Sequence, residues 1–469
     1  MQLIKLTVRR CAVLMIGSIS FFHLSAQENS PFSRYGLGDI YPSQSIANRG
    51  MGGVTAGYAN EQALNTVNPA SYSALKYLRY ANGTNGGLIT YDIGISIDSR
   101  TLKDASLGET YNSVNFLPSY ISIGIPLSSK ADAKKRNVGL VFGLKPATRI
   151  HYDVTDIDID SARGYNTQSL FSGNGGLNQF FIGLAKRFNN LSIGVNAGYE
   201  FGRKDIDTRT LLLNDTVHYY KSSSSQSTAF WGLYLTPGIS YNIKLKEFKR
   251  PNYTYSEAYF LNIGASATLA HSLKATTDTL SRTFEYNESG GTIPIDTIHY
   301  VNHVNGNIDV PITYNAGFLL SKKYMIGGNP VASKWSLGAD YSAGHWVDYR
   351  YYGQPDKLIN SWMLRVGGEY VPSVTSLKFF NRSTYRLGFY TGRDYINADG
   401  NNYNVRALTF GFGFFVKKYT NYDNNSTFIN TAVEIGKRGS SVNNITENFF
   451  KFSVGLSLAD LWFVKRKYD

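Results

Sequence analysis

The chain has 469 residues, of which 45 are glycine, 35 tyrosine and 27 phenylalanine, and its formal charge is +13. This composition is typical of an all-β protein with many turns. The mean hydropathy of −0.24 excludes a helical membrane protein, although a membrane β-barrel has a polar lumen and polar loops and is compatible with it. The basic residues are spread over many turns instead of clustering on one helix, so we expect no nucleic-acid partner.

Residues 1–26 have the pattern of a cleaved signal peptide, with basic Lys5, Arg9 and Arg10 before an apolar core. The core is too short for a membrane-spanning helix. The only cysteine, Cys11, lies in this segment. We therefore expect an exported mature chain without a thiol or a disulfide.

Residues 27–87 do not alternate and are rich in glycine and asparagine. Gly50, Gly52 and Gly53 permit close approach of another backbone, and apolar residues such as Met51 need a surface to pack against. The sequence favours a compact segment packed inside a larger structure. A flexible export linker is the alternative.

The clearest β pattern is the hairpin at residues 179–203, where bulky Phe180, Ile182 and Leu184 alternate with smaller residues before the turn at Asn189. Each arm has about ten residues, the length of a tilted strand that crosses a bilayer. The unit recurs from Gly87 onward and gives about 14 strands, the even number expected of a bacterial outer-membrane barrel. The further candidate strands include 228–243, 259–270, 308–320, 333–344, 360–371, 384–393, 406–417, 427–437 and 448–458.

These strands assign residues 88–459 to a transmembrane barrel and residues 460–469 to a periplasmic tail. If the N-terminus is periplasmic, the longest connections lie outside the cell, as expected for such barrels. The predicted outer loops lie near 98–115, 150–177, 204–227, 271–307, 345–358, 394–405 and 438–447.

Several segments resemble the FadL-like outer-membrane transporters. RGMGGVTAGYAN at 49–60, followed by Asn68, Pro69 and Ala70, is similar to the N-terminal hatch of that family, although Ser71-Tyr72 departs from its usual continuation. VEIGKRG and SVGLSLADLWF, near the C-terminus, are similar to members common in Bacteroidetes. The resemblance implies a barrel in the Gram-negative outer membrane whose lumen holds residues 27–87 as a plug.

The resemblance also implies that the hatch residues line a ligand path; our candidates are Asn68, Pro69, Ala70, Gly50, Gly52 and Gly53. It further implies a kinked strand that opens the wall sideways. Prolines within or beside the candidate strands are Pro118, Pro146, Pro237 and Pro311. The sequence does not determine which strand carries the kink.

Charged residues within the strands are expected to point into the lumen, because lysine or arginine on the lipid face costs about 2–4 kcal/mol. They are Asp92, Glu200, Asp340, Arg365, Glu369, Arg386 and Glu434. We expect them to pair across the interior and to hold the plug.

No catalytic constellation is present, and we expect no enzyme, cofactor or metal. His299 and His303 are four residues apart, a helical metal spacing, but they lie in a predicted outer loop. Asp156, Asp158 and Asp160 share one face of a strand, which is compatible with calcium or with the polar face of a protruding hairpin.

The sequence leaves three functions open. The first is passive uptake of a hydrophobic small molecule, such as a long-chain fatty acid, and its partners are that molecule and outer-membrane lipid. The second is a barrel that no longer transports and acts as a scaffold for other outer-membrane proteins in a secretion or assembly complex. The third is a secreted soluble β protein.

Overall fold

The computed structural model describes residues 30–462 except 61–62, 76, 80–84, 106–107, 128–137, 161–164, 214–218, 250–254, 327–328, 374–375, 377, 399, 418–425 and 441. The predicted signal peptide at 1–26 lies outside the described residues, as does 463–469 of the predicted tail.

The described residues form twenty strands in one antiparallel sheet. They are β1 (Asp39–Ile40), β2 (Tyr77–Arg79), β3 (Asn85–Asp104), β4 (Thr110–Leu127), β5 (Val138–Pro146), β6 (Thr148–Asp160), β7 (Tyr165–Phe188), β8 (Leu191–Leu212), β9 (Lys221–Lys249), β10 (Tyr255–Thr268), β11 (His271–Tyr286), β12 (Thr292–Val310), β13 (Thr313–Ile326), β14 (Asn329–Gly344), β15 (Arg350–Tyr351), β16 (Ser361–Tyr370), β17 (Thr384–Arg393), β18 (Asn404–Lys417), β19 (Ser426–Arg438) and β20 (Ile445–Trp462).

The sheet closes into a 14-stranded barrel, as the sequence predicts. Closure is made by β20 and β3, which pair from Ile445 opposite Asp104 to Trp462 opposite Gly87. Three of the 14 wall strands each consist of two consecutive strands with a short break between them. These are β5 with β6, β10 with β11, and β12 with β13. Closure satisfies the backbone groups that an open edge would leave unpaired in lipid.

The predicted hairpin of β7 and β8 shows how the sequence sets the two faces of the wall. Phe180, Ile182 and Leu184 are exposed on the outer face, whereas Phe181 is buried on the inner face. The turn residue Asn189 has φ of 54°, a conformation that asparagine tolerates. The apolar outer face and the polar or small inner face follow from this two-residue repeat.

The predicted outer loops at 98–115, 150–177, 204–227 and 271–307 are wrong in their secondary structure, because most of their residues are strand. The last three form a six-stranded extension in the order β6, β7, β8, β9, β11, β12. Ser222 to Ser225, expected to be loop, pair with β11. All residues of β12 from Thr292 to Asn305 are exposed, so the alternation of exposed and buried residues that marks the spanning strands is lost there. We call this end of the barrel the loop end, and the end with Asn189 the turn end.

The N-terminal segment, residues 30–75, packs against inward-facing side chains of the wall. It contains three short helices, Pro31–Arg34, Ile46–Arg49 and Pro69–Ala74. Its strand β1 pairs with β6 near the loop end, and the chain then reaches β2, which pairs with the turn end of β3. The segment therefore extends along the length of the lumen.

Candidate functional site

Wall glycines form a belt around the N-terminal segment. An added Cβ at Gly264 or Gly139 would overlap the carbonyl oxygen of Ala56 or Tyr72, so only glycine allows these backbones to approach. Eleven of the 14 wall strands contribute such a residue. An added Cβ would come within 3.0 Å of the segment at Gly124, Gly139, Gly183, Gly194, Gly238, Gly264, Gly338, Gly367, Gly388, Gly411 and Gly455. The segment thus contacts most of the inner circumference.

Three of the predicted lumen charges hold the N-terminal segment directly. Glu434 forms an ion pair with Arg49, with 2.5 Å between Oε1 and Nε. Asp340 accepts hydrogen bonds from the backbone N–H groups of Thr55 and Ala56, at 2.5 and 2.7 Å. In the same way, Asp92 accepts from the N–H of Leu64 at 3.0 Å.

The other four predicted lumen charges contact residues of the wall. Glu200 accepts from Gln179 at 2.6 Å and lies 2.8 Å from Nε2 of His271. Glu369 pairs with Arg386 at 3.3 Å, and Arg365 donates to a serine of β14 at 2.5 Å. These bonds connect different wall strands.

The Asn68-Pro69-Ala70 motif is buried and bonded within the protein. Asn68 caps the helix Pro69–Ala74 by accepting from the N–H of Ala70 at 3.1 Å, and it donates to the carbonyls of Ala56 and Ile239 at 2.7 and 3.1 Å. The capping geometry explains why asparagine precedes proline here.

The three hatch glycines also make close backbone contacts. Gly50 lies against Gly411. Gly52 has φ of 68° and donates from its N–H to the hydroxyl of Thr409 at 2.8 Å. Gly53 has φ of 83° and lies beside Arg365. Positive φ explains glycine at the last two positions.

An ion cluster fixes the loop end of the segment; we call it the Asp39 cluster. Asp39 lies 2.9 Å from Arg100 and 2.9 Å from Arg438, while Arg100 also binds Asp98 at 2.9 Å and Arg438 binds Asp394 at 2.5 Å. Burial alone would raise the pKa of the Asp39 carboxyl, but Arg438 and Arg100 outweigh it and hold that pKa below its ordinary value.

Sequence reasoning missed Arg49 and every member of the Asp39 cluster. Asp98 and Arg100 lie on the same face of β3 as Asp92. Extending the two-residue repeat past Asp92 would therefore have predicted that both point inward. Arg49 and Asp39 carried no such signal, because they lie in a segment without regular alternation.

The lumen contains a cavity of about 450 Å³ that is lined in part by the N-terminal segment. Gly52 and Gly53 line it, whereas Gly50, Asn68, Pro69 and Ala70 do not. Its charged lining includes Arg49, Lys145, Glu200, Arg365, Glu434 and Arg438. The lining combines these ionic groups with apolar and aromatic residues such as Leu37, Tyr234 and Trp346.

The wall has a gap that we call the seam, between β4 and β6. β4 pairs with β5 only from Leu127 to Ile121, and no ladder joins β4 to β6 among the described residues. Pro118 lies beside the bulge in β4, and Pro146 ends β5. β1 pairs with the free edge of β6, and Tyr41 bonds to Ser119 of β4 at 2.9 Å.

The candidate metal ligands lie on the extension at the loop end. His299 and His303 are on β12 and not on a helix, and both are exposed, as are Asp156 and Asp158 of β6. Among the described residues there is no group of three or more histidine, cysteine, aspartate or glutamate side chains arranged to hold a metal.

The fold and the lumen define a closed 14-stranded antiparallel β-barrel whose N-terminal segment packs against the inner wall. No helix among the described residues is long and apolar enough to cross a membrane. The chain belongs to the BamG family, whose model matches residues 7–469. A comparison with curated proteins found no match.

Solved barrels of similar fold include three transporters or transporter homologues. The toluene transporter TbuX of Ralstonia pickettii is 14% identical over 90% of this chain and 98% of its own, with a TM-score of 0.49. A FadL homologue of Pseudomonas aeruginosa is 12% identical over 90% and 98%, with a TM-score of 0.49. The toluene transporter TodX of Pseudomonas putida is 12% identical over 90% and 99%, with a TM-score of 0.47.

Proposed function

We propose that this chain is a non-enzymatic, non-transporting barrel of the Gram-negative outer membrane that acts as a subunit of an outer-membrane protein assembly complex. In this proposal residues 1–26 are removed on export, the segment before β3 plugs the lumen, the wall strands from β3 to β20 cross the membrane, and the predicted tail is shortened to 463–469, because β3 begins at Asn85 and β20 ends at Trp462. The observation that carries the proposal is the glycine belt, which fixes the plug to most of the wall strands.

A plug held in this way is costly to move. The contacts include backbone against backbone at Gly264 and Gly139, the buried Arg49–Glu434 pair and the bonds to Asp340. Opening a path would break them together and would leave buried charges unpaired, at about 3–5 kcal/mol for such a pair. The plug is therefore a permanent part of the barrel interior.

The family assignment supports the same proposal, because the BamG match hints at an assembly role and at outer-membrane protein partners. The test is affinity purification of the tagged full chain in mild detergent, followed by native mass spectrometry. We expect a stoichiometric outer-membrane protein partner. Recovery of a solitary barrel that carries a lipid-like molecule in its lumen would contradict the proposal.

The second candidate is passive uptake of a hydrophobic small molecule, and the seam favours it. Prolines beside the gap between β4 and β6, Pro118 and Pro146, disrupt regular pairing. Uptake of labelled fatty acids and aromatic hydrocarbons by a deletion strain separates the candidates. Reduced uptake that the full chain restores favours transport, and unchanged uptake across the panel favours the assembly role.

A further inference from the structure

Among the described residues, the edge strands of the loop-end extension are β6 and β12, and their edges differ. β12 pairs with β11 through three register shifts within Thr277–Phe284, and bulges of this kind protect an edge from further pairing. β6 pairs with β7 without any shift from Ile150 to Asp160. The regular edge of β6 is therefore the one that is competent to accept another strand.

The orientation of the β6 backbone identifies the groups at this edge. The carbonyl of His151 accepts from the N–H of Ser30 at 3.1 Å, and the N–H of His151 donates to the hydroxyl of Ser33 at 3.1 Å. Both groups thus face away from β7. Because backbone direction alternates in antiparallel strands, the N–H and C=O groups of Thr155, Ile157 and Ile159 face the same edge.

The start of β6 is already paired along this same edge by another strand of the chain. Asp39 and Ile40 of β1 pair antiparallel with Arg149 and Thr148. Beyond His151 no described strand continues that ladder, although β6 extends to Asp160. Strand addition at residues 154–159 would extend an existing pairing.

The side chains determine the kind of strand that fits. Ile157 and Ile159 are 55% and 66% exposed on one face, and they alternate with exposed Asp156 and Asp158 on the other. A complementary strand carries apolar residues on the first face and polar or basic residues on the second. Alternation of this type is the pattern of strands from outer-membrane barrels.

We propose that the seam edge of β6, residues 154–159, binds an extended amphipathic strand of a partner outer-membrane protein by β-strand addition. This inference rests on the proposed assembly function and identifies the surface that serves it. Main-chain hydrogen bonds supply affinity, and the alternating isoleucine and aspartate side chains select the partner strand.

Amide exchange in the detergent-purified full chain tests the proposal with a synthetic ten-residue peptide as the probe, in which valine alternates with serine and lysine. With the peptide saturating, we expect exchange at Thr155, Ile157 and Ile159 to slow by about ten-fold or more. The amides of Val154 and Asp156, which face β7, are internal controls and should not change. A peptide with a central proline should give no slowing.

The variant Ile157→Pro removes one edge donor without removing a bond to β7, since proline is tolerated where the N–H faces outward. We expect it to keep the barrel folded and to lose protection by the peptide. Unchanged exchange at the edge amides of the native chain, or slowing at β12 instead, would overturn the proposal. Protection that depends on protein concentration without peptide would also overturn it, because a second copy would then be the occupant.

In cells, a photo-cross-linking amino acid at Ile157 identifies the native occupant, with Ile293 on β12 as the matched control. A cross-link from Ile157 alone to a β-strand of an outer-membrane protein supports the proposal. A stoichiometric partner that cross-links elsewhere would overturn the edge assignment while the assembly function stands. If the peptide binds the edge but no stoichiometric partner is recovered, the assembly function is contradicted, while strand binding at β6 stands.

Discussion

Arg49 of the N-terminal segment and Glu434 of β19 form a buried ion pair, with 2.5 Å between Nε and Oε1 and both side chains at most 4% exposed. Arg49 also donates to Ser96 of β3 at 2.9 Å, and Tyr390 of β17 donates to Glu434 at 3.2 Å. One side chain of the N-terminal segment thus connects strands on both sides of the barrel closure. This relationship makes the segment part of the fold.

Removal of the arginine charge should strongly destabilise the barrel. Arg49→Met leaves the buried Glu434 carboxylate unpaired, and loss of one member of a buried pair costs about 3–5 kcal/mol. The measurement is urea-induced unfolding of the detergent-solubilised protein. The matched control is Arg203→Met, because Arg203 pairs with Asp205 on the surface with 64% of its side chain exposed, and exposed pairs contribute about 0–1 kcal/mol. Equal effects of the two changes would contradict the buried tether.

A methyl group in the glycine belt should disturb the plug. In Gly264→Ala the new Cβ overlaps the carbonyl of Ala56, and overpacking of this kind costs about 1–3 kcal/mol. We expect faster cleavage of the plug by an added protease, with a small loss of barrel stability. Ala229→Val adds methyl groups to an exposed position on β9 and is the control. Wild-type protease resistance in Gly264→Ala would show that the belt does not confine the plug.

The barrel was predictable because spanning strands show apolar residues to lipid at every second position, as Phe180 and Ile182 do. The same rule identified Asp92, Asp340 and Glu434 as inward-facing charges. It failed at the loop-end extension, where strands such as β12 meet water on both faces. It also gave no account of Arg49, whose partner is 385 residues away in sequence and is brought near only by closure of the barrel.

Acid should weaken the attachment of the plug at the loop end. The pKa of Asp39 is below its ordinary value of about 3.9 because Arg438 and Arg100 outweigh its burial. Its contribution to stability is fully present above that ordinary value and is lost as the pH falls through the lower folded-state pKa. Unfolding measured between pH 7 and pH 2.5 should show a steeper acid loss for the wild type than for Asp39→Asn. Parallel profiles would contradict this role of Asp39.

Asn68 should act through structure, and not through a ligand. Asn68→Ala removes a helix cap, which costs about 1 kcal/mol, and leaves the buried carbonyls of Ala56 and Ile239 without this donor, at about 1–3 kcal/mol more. We expect a lower free energy of unfolding, again measured in urea. Asn112→Ala, on the exposed part of β4, is the control and should change little. Unchanged stability with altered uptake of a hydrophobic ligand would instead support a ligand path at Asn68.

The most direct test of a permanent plug is amide hydrogen exchange at Thr55, Ala56 and Leu64, whose N–H groups donate to Asp340 and Asp92 of the wall. If the plug opens only when the barrel unfolds, these amides should exchange as slowly as the paired amides of β10 and β14. Exchange that is about a hundred-fold faster than in those strands, which corresponds to a local opening several kcal/mol below global unfolding, would contradict a fixed plug.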